Sequence, residues 1–552
     1  MLKKIIPAID WLSHYHKNDL RGDLSAGLIV AVMLIPQGMA YAMLAGLPPE
    51  IGLYASTIPL IIYALFGSSR QLAVGPVAMV SLLVFTGVSQ LAEPQTEEFV
   101  SYALLLALMV GVIQFALGIF RLGFLVNFLS HAVISGFTSA AALIIGLSQL
   151  KHILGFDLPK DSIFVILYEA IRGIGETNLT ALIIGVGSIA VLLFFKKKLP
   201  RFPAPLVVVV LGTVFTYLFK LNETAGVNIV GDIPQGIPSL SLPAFDFASI
   251  GALLPIALTI SFVGFMESIA VAKAIAAKEK YKINSNQELN GLGLANIVGS
   301  FFSAYPVTGG FSRSAVNYQA GARTGLASII TAVIILVALL FLTPLLYYLP
   351  QAVLAAIIMV AVFGLIDIKE AVHIFKIRQA DGWTLIITAI ATLTLGIEQG
   401  ILIGIAVSLI LFIWRSAYPH VAELGYVEQE DVFKNIKRFP DAKTYDHTLI
   451  YRIDASLYFA NMAFLEEKLR EAIAEKNASN VILDFSAVNA IDAVAIDELE
   501  EIIESYRDSG VKFYIAGMKG PVKDLVKRAG WDEKYGDKIN FLTVKQALNT
   551  VQ

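Results

Sequence analysis

Two ionisable residues sit where ions are costly. Glu267 lies in the run Leu258-Thr-Ile-Ser-Phe-Val-Gly-Phe-Met-Glu-Ser-Ile-Ala-Val-Ala272, and no charged residue separates it from Asp246. Such a run reads as a membrane span. A carboxylate inside a span costs roughly 2.5–3.5 kcal/mol even on lenient insertion scales, which makes it a functional candidate by default. The alternative is a Glu that hydrogen-bonds a neighbouring helix or reaches the interface, because Lys273 follows closely. The second residue is Arg313, in Tyr305-Pro-Val-Thr-Gly-Gly-Phe-Ser-Arg-Ser314. Inside a span its guanidinium would hold an anion; at the membrane edge it would be satisfied by carbonyls and lipid phosphates.

The elements that must position these groups read as broken helices. Pro36-Gln-Gly-Met-Ala-Tyr41 interrupts the first apolar segment, Val74-Gly-Pro-Val-Ala-Met79 opens the third, and Tyr305–Ser314 opens the tenth. Glycine and proline are common in spans, so each break alone could be a kink or a packing contact. Interrupted segments at corresponding positions of two halves point to a transporter site. The third and tenth segments are seven apart, as an inverted repeat of seven spans each requires. A half-helix starting at mid-membrane turns free N–H groups inward and carries roughly +0.5 of a charge at that end. Two facing ends and Arg313 make an anion site, with Ser312 and Ser314 as further donors.

Composition agrees. The chain has 552 residues, 56% hydrophobic and 15% charged, where soluble domains average about 25% charged. The net charge of −3 gives no reason to expect a nucleic-acid partner. With no cysteine, disulfides and thiolate chemistry are excluded. No H-E-x-x-H, Walker loop or G-x-S-x-G occurs, so an enzyme reading lacks support and neither cofactor nor metal site is expected. Gly291-Leu-Gly-Leu-Ala-Asn296 reads as close helix packing, not a dinucleotide loop.

The charge pattern divides the chain into an N-terminal segment (1–22), a transmembrane domain (23–418) and a soluble domain (419–552). The transmembrane part offers about fourteen apolar segments between 24 and 415. Basic clusters at Lys196–Lys198 with Arg201, at Lys273, Lys278, Lys280 and Lys282, and at Lys369, Lys376 and Arg378 fall in alternate loops. The positive-inside rule then puts both termini in the cytoplasm of a multi-pass protein of the inner (plasma) membrane. Met1–Lys17, with Lys3 and Lys4, lacks a signal-peptide core and could lie on the membrane surface.

The run Pro36-Gln-Gly-Met-Ala-Tyr-Ala-Met-Leu-Ala-Gly-Leu-Pro-Pro-Glu-Ile-Gly-Leu-Tyr54 resembles the signature of the sulfate permease (SulP) family of anion transporters. Gly75-Pro76, Glu267, Ser312-Arg313-Ser314 and the tail extend the resemblance over nearly the whole chain. It implies a polytopic α-helical membrane protein of about fourteen spans in two inverted seven-span repeats, with core and gate domains, and a homodimer. It also implies a substrate site lined by Gln37, Tyr41, Ala78, Met79, Gly310, Phe311, Ser312 and Arg313, with Glu267 tied to cation coupling. The tail resembles a cytoplasmic α/β STAS domain, framed by strands at 448–453 and 480–485, and a protein partner through it is open. Soluble relatives carry a phosphorylated Ser where this chain has Ala493 and Val494, so that switch is absent.

Charge balance suggests a mechanism. Two helix ends (about +1 together) and Arg313 balance a dianion such as sulfate. An ionised Glu267 leaves a negative excess that a proton removes. The expectation is proton–sulfate symport. Sodium is the rival coupling ion, although Val271, one turn after Glu267, supplies no oxygen. Sodium-coupled bicarbonate, proton-coupled dicarboxylate, anion exchange and channel-like conduction are alternatives, since hydroxyls and N–H groups recognise many oxyanions. A nucleobase carrier is disfavoured by Arg313 and the tail.

Overall fold

The computed structural model describes residues 6–124, 130–159, 163–198, 203–243 and 246–552, with the backbone only at 397 and 398. Lys3, Lys4, Arg201 and the start of the fifth apolar segment, expected at 125–150, lie outside the described residues. Two compact units are found, Met1–Ser408 and Leu409–Gln552.

Each of the fourteen expected segments contains a helix. In chain order they are α1 (Lys17–Leu44), α2 (Pro49–Phe66, with a turn at 55–57), α3 (Ala78–Val88), α4 (Glu97–Ile119), α5 (His131–Ser148), α6 (Leu179–Lys198) and α7 (Ala204–Phe219), then α8 (Phe247–Glu279), α9 (Ser285–Ser300), α10 (Phe311–Gln319), α11 (Leu326–Phe341), α12 (Gln351–Phe363), α13 (Gln379–Leu395) and α14 (Ile397–Ala417). Side chains cap several of them where the chain turns back. Thr96 accepts from the Phe99 N–H, Asp246 from Ser249, and Asn284 from Asn286 and Gln287. These bonds satisfy N–H groups that the first helical turn leaves without acceptors.

The packing repeats with an offset of seven. Helix α1 packs on α11, and its counterpart α8 packs on α4; α1 meets α10 as α8 meets α3. Likewise α4 lies on α9 as α11 lies on α2, and α5 on α13 as α12 on α6. The two halves are tied at their centre by an antiparallel ladder, β1 (Val74–Gly75) with β2 (Thr308–Gly309), paired Val74 to Gly309 and Gly75 to Thr308. Antiparallel pairing of equivalent segments means the halves run in opposite senses, as inverted repeats do. Two short amphipathic helices, Ile163–Arg172 after α5 and Ile368–Ile377 after α12, obey the same offset.

One expectation is corrected. The first span is not interrupted, because α1 runs through Pro36 to Leu44 without leaving helical geometry. Proline deletes one N–H but need not end a membrane helix. The motif's glycines serve packing instead. A Cβ on Gly52 would fall 1.9 Å from the Gly38 carbonyl oxygen, and one on Gly38 would fall 3.0 Å from the Gly52 oxygen, so α1 and α2 touch backbone to backbone. The Gly291–Asn296 run packs as expected: a Cβ on Gly291 would lie 2.8 Å from Gly67, and one on Gly293 would lie 2.6 Å from the Phe115 nitrogen.

The C-terminal unit is a five-stranded mixed sheet with its own core. Its elements are β3 (Val421–Val427), β4 (Val432–Asn435), β5 (Thr448–Ile453), α15 (Phe459–Lys476), β6 (Asn480–Asp484), α16 (Ala493–Asp508), β7 (Lys512–Ala516), α17 (Gly520–Arg528) and α18 (Val544–Val551). The order is β4-β3-β5-β6-β7, with β5, β6 and β7 parallel. Strand β6 is almost fully buried, which explains its unbroken apolar run in sequence. Asp492 caps α16 by accepting from Ala495, and Ala493 and Val494 occupy the first helical positions.

Candidate functional site

The site is assembled where the two half-helices begin. Helix α3 follows β1 and α10 follows β2, and neither has a side-chain cap. Among the described residues, the N–H groups of Ala78, Met79, Phe311 and Ser312 donate to no other backbone group. Both dipole ends are therefore free to meet an anion. Side-chain amides and hydroxyls on neighbouring helices fix the ladder between them. Asn296 of α9 accepts from the Val307 N–H (2.8 Å) and donates to its carbonyl (3.0 Å). From α8, the Ser268 hydroxyl accepts from the Gly309 N–H (2.8 Å) and lies 2.7 Å from the Thr308 hydroxyl. Thr308 in turn donates to the Gly264 carbonyl (2.5 Å). On the other side Ser314 accepts from the Ala73 N–H (2.9 Å) and donates to the Gly310 carbonyl (2.8 Å).

Arg313 is 3% exposed, and its Nε and Nη2 atoms are buried without a hydrogen-bond partner. The guanidinium folds back across the start of its own half-helix. A Cβ on Gly310 would come within 2.8 Å of Nη2 and 2.9 Å of Cζ, and one on Gly75 would come within 3.5 Å of Nη2. The charge thus sits between the two breaks, in space that exists because both residues are glycine. Gly75 also has a φ of +152°, which few other residues adopt. Glu267 is half-buried, and its Oε2 is likewise buried without a partner. It senses the Arg313 charge, as do the phenols of Tyr41 and Tyr305.

The residues expected from the sequence are distributed as follows. Gln37, Tyr41, Ala78 and Met79 are buried at 6–7% exposure, and Gly310 is buried. Phe311 is 60% exposed and Ser312 is exposed, so what these two contribute to the helix end is their free backbone N–H groups and not buried side chains. The supporting residues Asn296, Thr308, Tyr305 and Ser81 went unnoticed in sequence. Ser81 and Asn296 showed only as isolated polar residues in apolar helices, and Tyr305 and Thr308 only as members of a helix break. Tyr305 and Ser81 hydroxyls pair at 2.9 Å across the halves.

A second acid was also passed over. Glu288 of α9 is fully buried and receives four hydrogen bonds: from the Tyr63 hydroxyl (2.6 Å), the Ser68 N–H (2.6 Å) and hydroxyl (2.7 Å), and the Ser69 N–H (3.0 Å).

An antiparallel crossing of two half-helices inside inverted repeats, with opposed uncapped N-termini, defines a membrane transporter site. Comparison with known proteins gives the particular family. Residues 20–388 match the sulfate permease family and residues 439–547 match the STAS domain. The chain is 43% identical to "Probable sulfate transporter 4.2" of Arabidopsis thaliana, over 99% of this chain and 83% of that protein. It superposes on the murine Solute Carrier 26 family member A9 anion transporter in its inward-facing state with a TM-score of 0.92 and 27% identity, covering 99% of this chain and 94% of that one. The transmembrane domain of a cyanobacterium bicarbonate transporter, BicA, aligns at a TM-score of 0.62 and 25% identity, covering 71% of this chain and 98% of that one. The chain belongs to the sulfate permease family. It is a multi-pass membrane transporter, not an enzyme, and its coarse function is anion transport.

Proposed function

We propose that the protein carries sulfate by proton-coupled symport, with α1–α4 and α8–α11 moving as a core against a gate of α5–α7 and α12–α14. The observation that carries this reading is the pairing of an unpartnered guanidinium with two uncapped half-helix N-termini. Their summed positive charge, about +2, matches a dianion. The names of the plant relatives support sulfate. Glu267 adds a negative charge beside the same guanidinium, so anion and ionised Glu267 compete for it. A proton on Glu267 ends that competition, and release of the proton on the far side weakens the hold on the anion. Sodium has less to bind, because the Ser268 hydroxyl already accepts one hydrogen bond and contacts Thr308. We also propose the division 1–22, 23–418 and 419–552, a plasma-membrane location with both termini cytoplasmic, a homodimer, and a STAS domain open to a protein partner.

Uptake by purified protein in liposomes tests the proposal. Sulfate, bicarbonate and fumarate are compared under imposed proton or sodium gradients. The expected result is sulfate accumulation driven by an inward proton gradient. Glu267→Gln should still bind sulfate and lose the response to the gradient. Accumulation of sulfate by Glu267→Gln in step with the imposed pH difference would exclude the coupling role.

A further inference from the structure

Helix α8 exposes two chemically different faces. In its first half the exposed apolar residues include Leu254 (44%) and Leu258 (40%), as a lipid-facing surface should. After Glu267 the exposed residues become Ala270, Lys273, Ala274, Ala277 and Lys278, while Val271, Ala272, Ile275 and Ala276 between them are buried. Ala270, Ala274 and Lys278 continue the helical face that carries Glu267, and Lys278 lies roughly 16 Å along the axis from it. Lys273 is roughly 9 Å from Glu267 along the axis. An ammonium so close to the site is costly against hydrocarbon and cheap against water. Small alanines between the lysines leave room beside the helix. The acid next to Lys278 in sequence, Glu279, pairs with Arg323 at 3.7 Å. Among the described residues neither lysine forms an ion pair.

We infer that this face of α8 is the wet approach to the site, and that Lys273 and Lys278 hold the incoming inorganic anion before it reaches the helix ends. The inference rests on the anion-transport reading. Positive charge along a narrow aqueous path raises the local concentration of an anionic substrate and loses that effect as salt screens it. On α8 itself the exposed face that runs from Glu267 to Lys278 carries only Ala270 and Ala274 between them, so the helix puts no bulky side chain of its own there.

The absence of cysteine from the chain permits a direct test. Ala270→Cys, Ala274→Cys and Ala277→Cys are made singly and treated in sealed vesicles with a membrane-impermeant thiol reagent. Labelling from one side only, slowed by sulfate, is expected, with Leu254→Cys and Leu258→Cys unlabelled. Absence of labelling at Ala270→Cys and Ala274→Cys would overturn the wet path; labelling that sulfate does not slow would overturn the anion-holding role. Lys273→Gln and Lys278→Gln should each raise the KM for sulfate several-fold at low ionic strength with kcat kept, the effect shrinking at high salt and Lys→Arg restoring it. An unchanged KM, or a change indifferent to salt, counts against the proposal. If the unaltered protein moves no anion, the transport reading fails; if it transports through a dry α8 face, only this inference does.

Discussion

Two glutamates on consecutive helices, Glu267 and Glu288, were equivalent as sequence: each is an acid in an apolar segment. Their surroundings differ completely. Glu288 is wrapped by four donors, one from Tyr63 of α2 and three from Ser68 and Ser69 in the loop that follows it, so both of its oxygens are occupied. Glu267 keeps one oxygen buried with no donor, beside a guanidinium that also lacks partners. A buried acid whose hydrogen bonds are complete fixes structure, because every donor around it depends on it. A buried acid left incomplete has capacity for something that comes and goes.

The largest effect should fall on the completed acid. Glu288→Ala strands the buried Tyr63 hydroxyl and Ser69 N–H and the half-buried Ser68 donors, all of which lose their acceptor. A loss of roughly 3–5 kcal/mol is expected, seen as collapse of the monodisperse peak after detergent extraction. Glu267→Ala in the same assay should behave like the unmodified protein. If both variants extract equally well, the distinction between the two acids is wrong.

Next comes the partner of the incomplete acid. Arg313→Gln removes the full positive charge placed between the two breaks and keeps a polar side chain. Charge-assisted hydrogen bonds contribute about 1.5–3 kcal/mol, so sulfate affinity should fall roughly 10- to 100-fold. Isothermal titration in detergent measures it. An unaltered affinity would mean that the helix ends alone bind the anion.

Gly310→Ala sharpens the same point by geometry. The new Cβ would meet the guanidinium at 2.8–2.9 Å. The far end of a flexible side chain can shift, so the fold should tolerate the change and the loss should fall on sulfate binding, roughly fivefold or about 1 kcal/mol. The expected signature is weaker sulfate binding at unchanged folding stability. A double variant with Arg313→Gln should add little, because the clash then has no guanidinium to move.

Much of this was legible before the structure. Segment positions followed from apolar runs, and the breaks at Gly75-Pro76 and Gly309-Gly310 followed from residues that helices avoid. Glu267 and Arg313 followed from the cost of burying charge. Pro36 misled because proline removes a single N–H, and a membrane helix bears that loss. Asn296, Ser268 and Thr308 were not legible as a set, because their role is to hold backbone that is distant in sequence or already out of helix. Composition cannot show which N–H a lone Asn will meet. Glu288 was missed for the same reason, since its donors lie more than two hundred residues away.

A third carboxylate extends the comparison into the soluble domain, where water reaches the pair. Asp454 follows β5 and accepts from the Arg452 guanidinium (Nε at 2.5 Å, Nη2 at 3.1 Å), and it lies 2.8 Å from the His420 ring. Partial burial works against its charge, but hydrogen bonds from Arg452 and His420 outweigh it and hold the carboxyl below its ordinary value. A depressed acid contributes stability that is present above the unfolded value of about 4 and is lost as pH falls through the lower folded value. Its side chain is 23% exposed, so the contribution should be small, about 1 kcal/mol. Asp454→Asn should lower the melting temperature of residues 419–552 by a few degrees at pH 7. The gap should narrow as pH falls below about 4 and close once pH passes the lowered folded value, where the unmodified domain also loses the charged pair. A gap that stayed constant with pH would mean that Asp454 acts by shape alone. It would then resemble neither Glu288, whose two oxygens are both occupied by protein donors, nor Glu267, whose buried Oε2 has none.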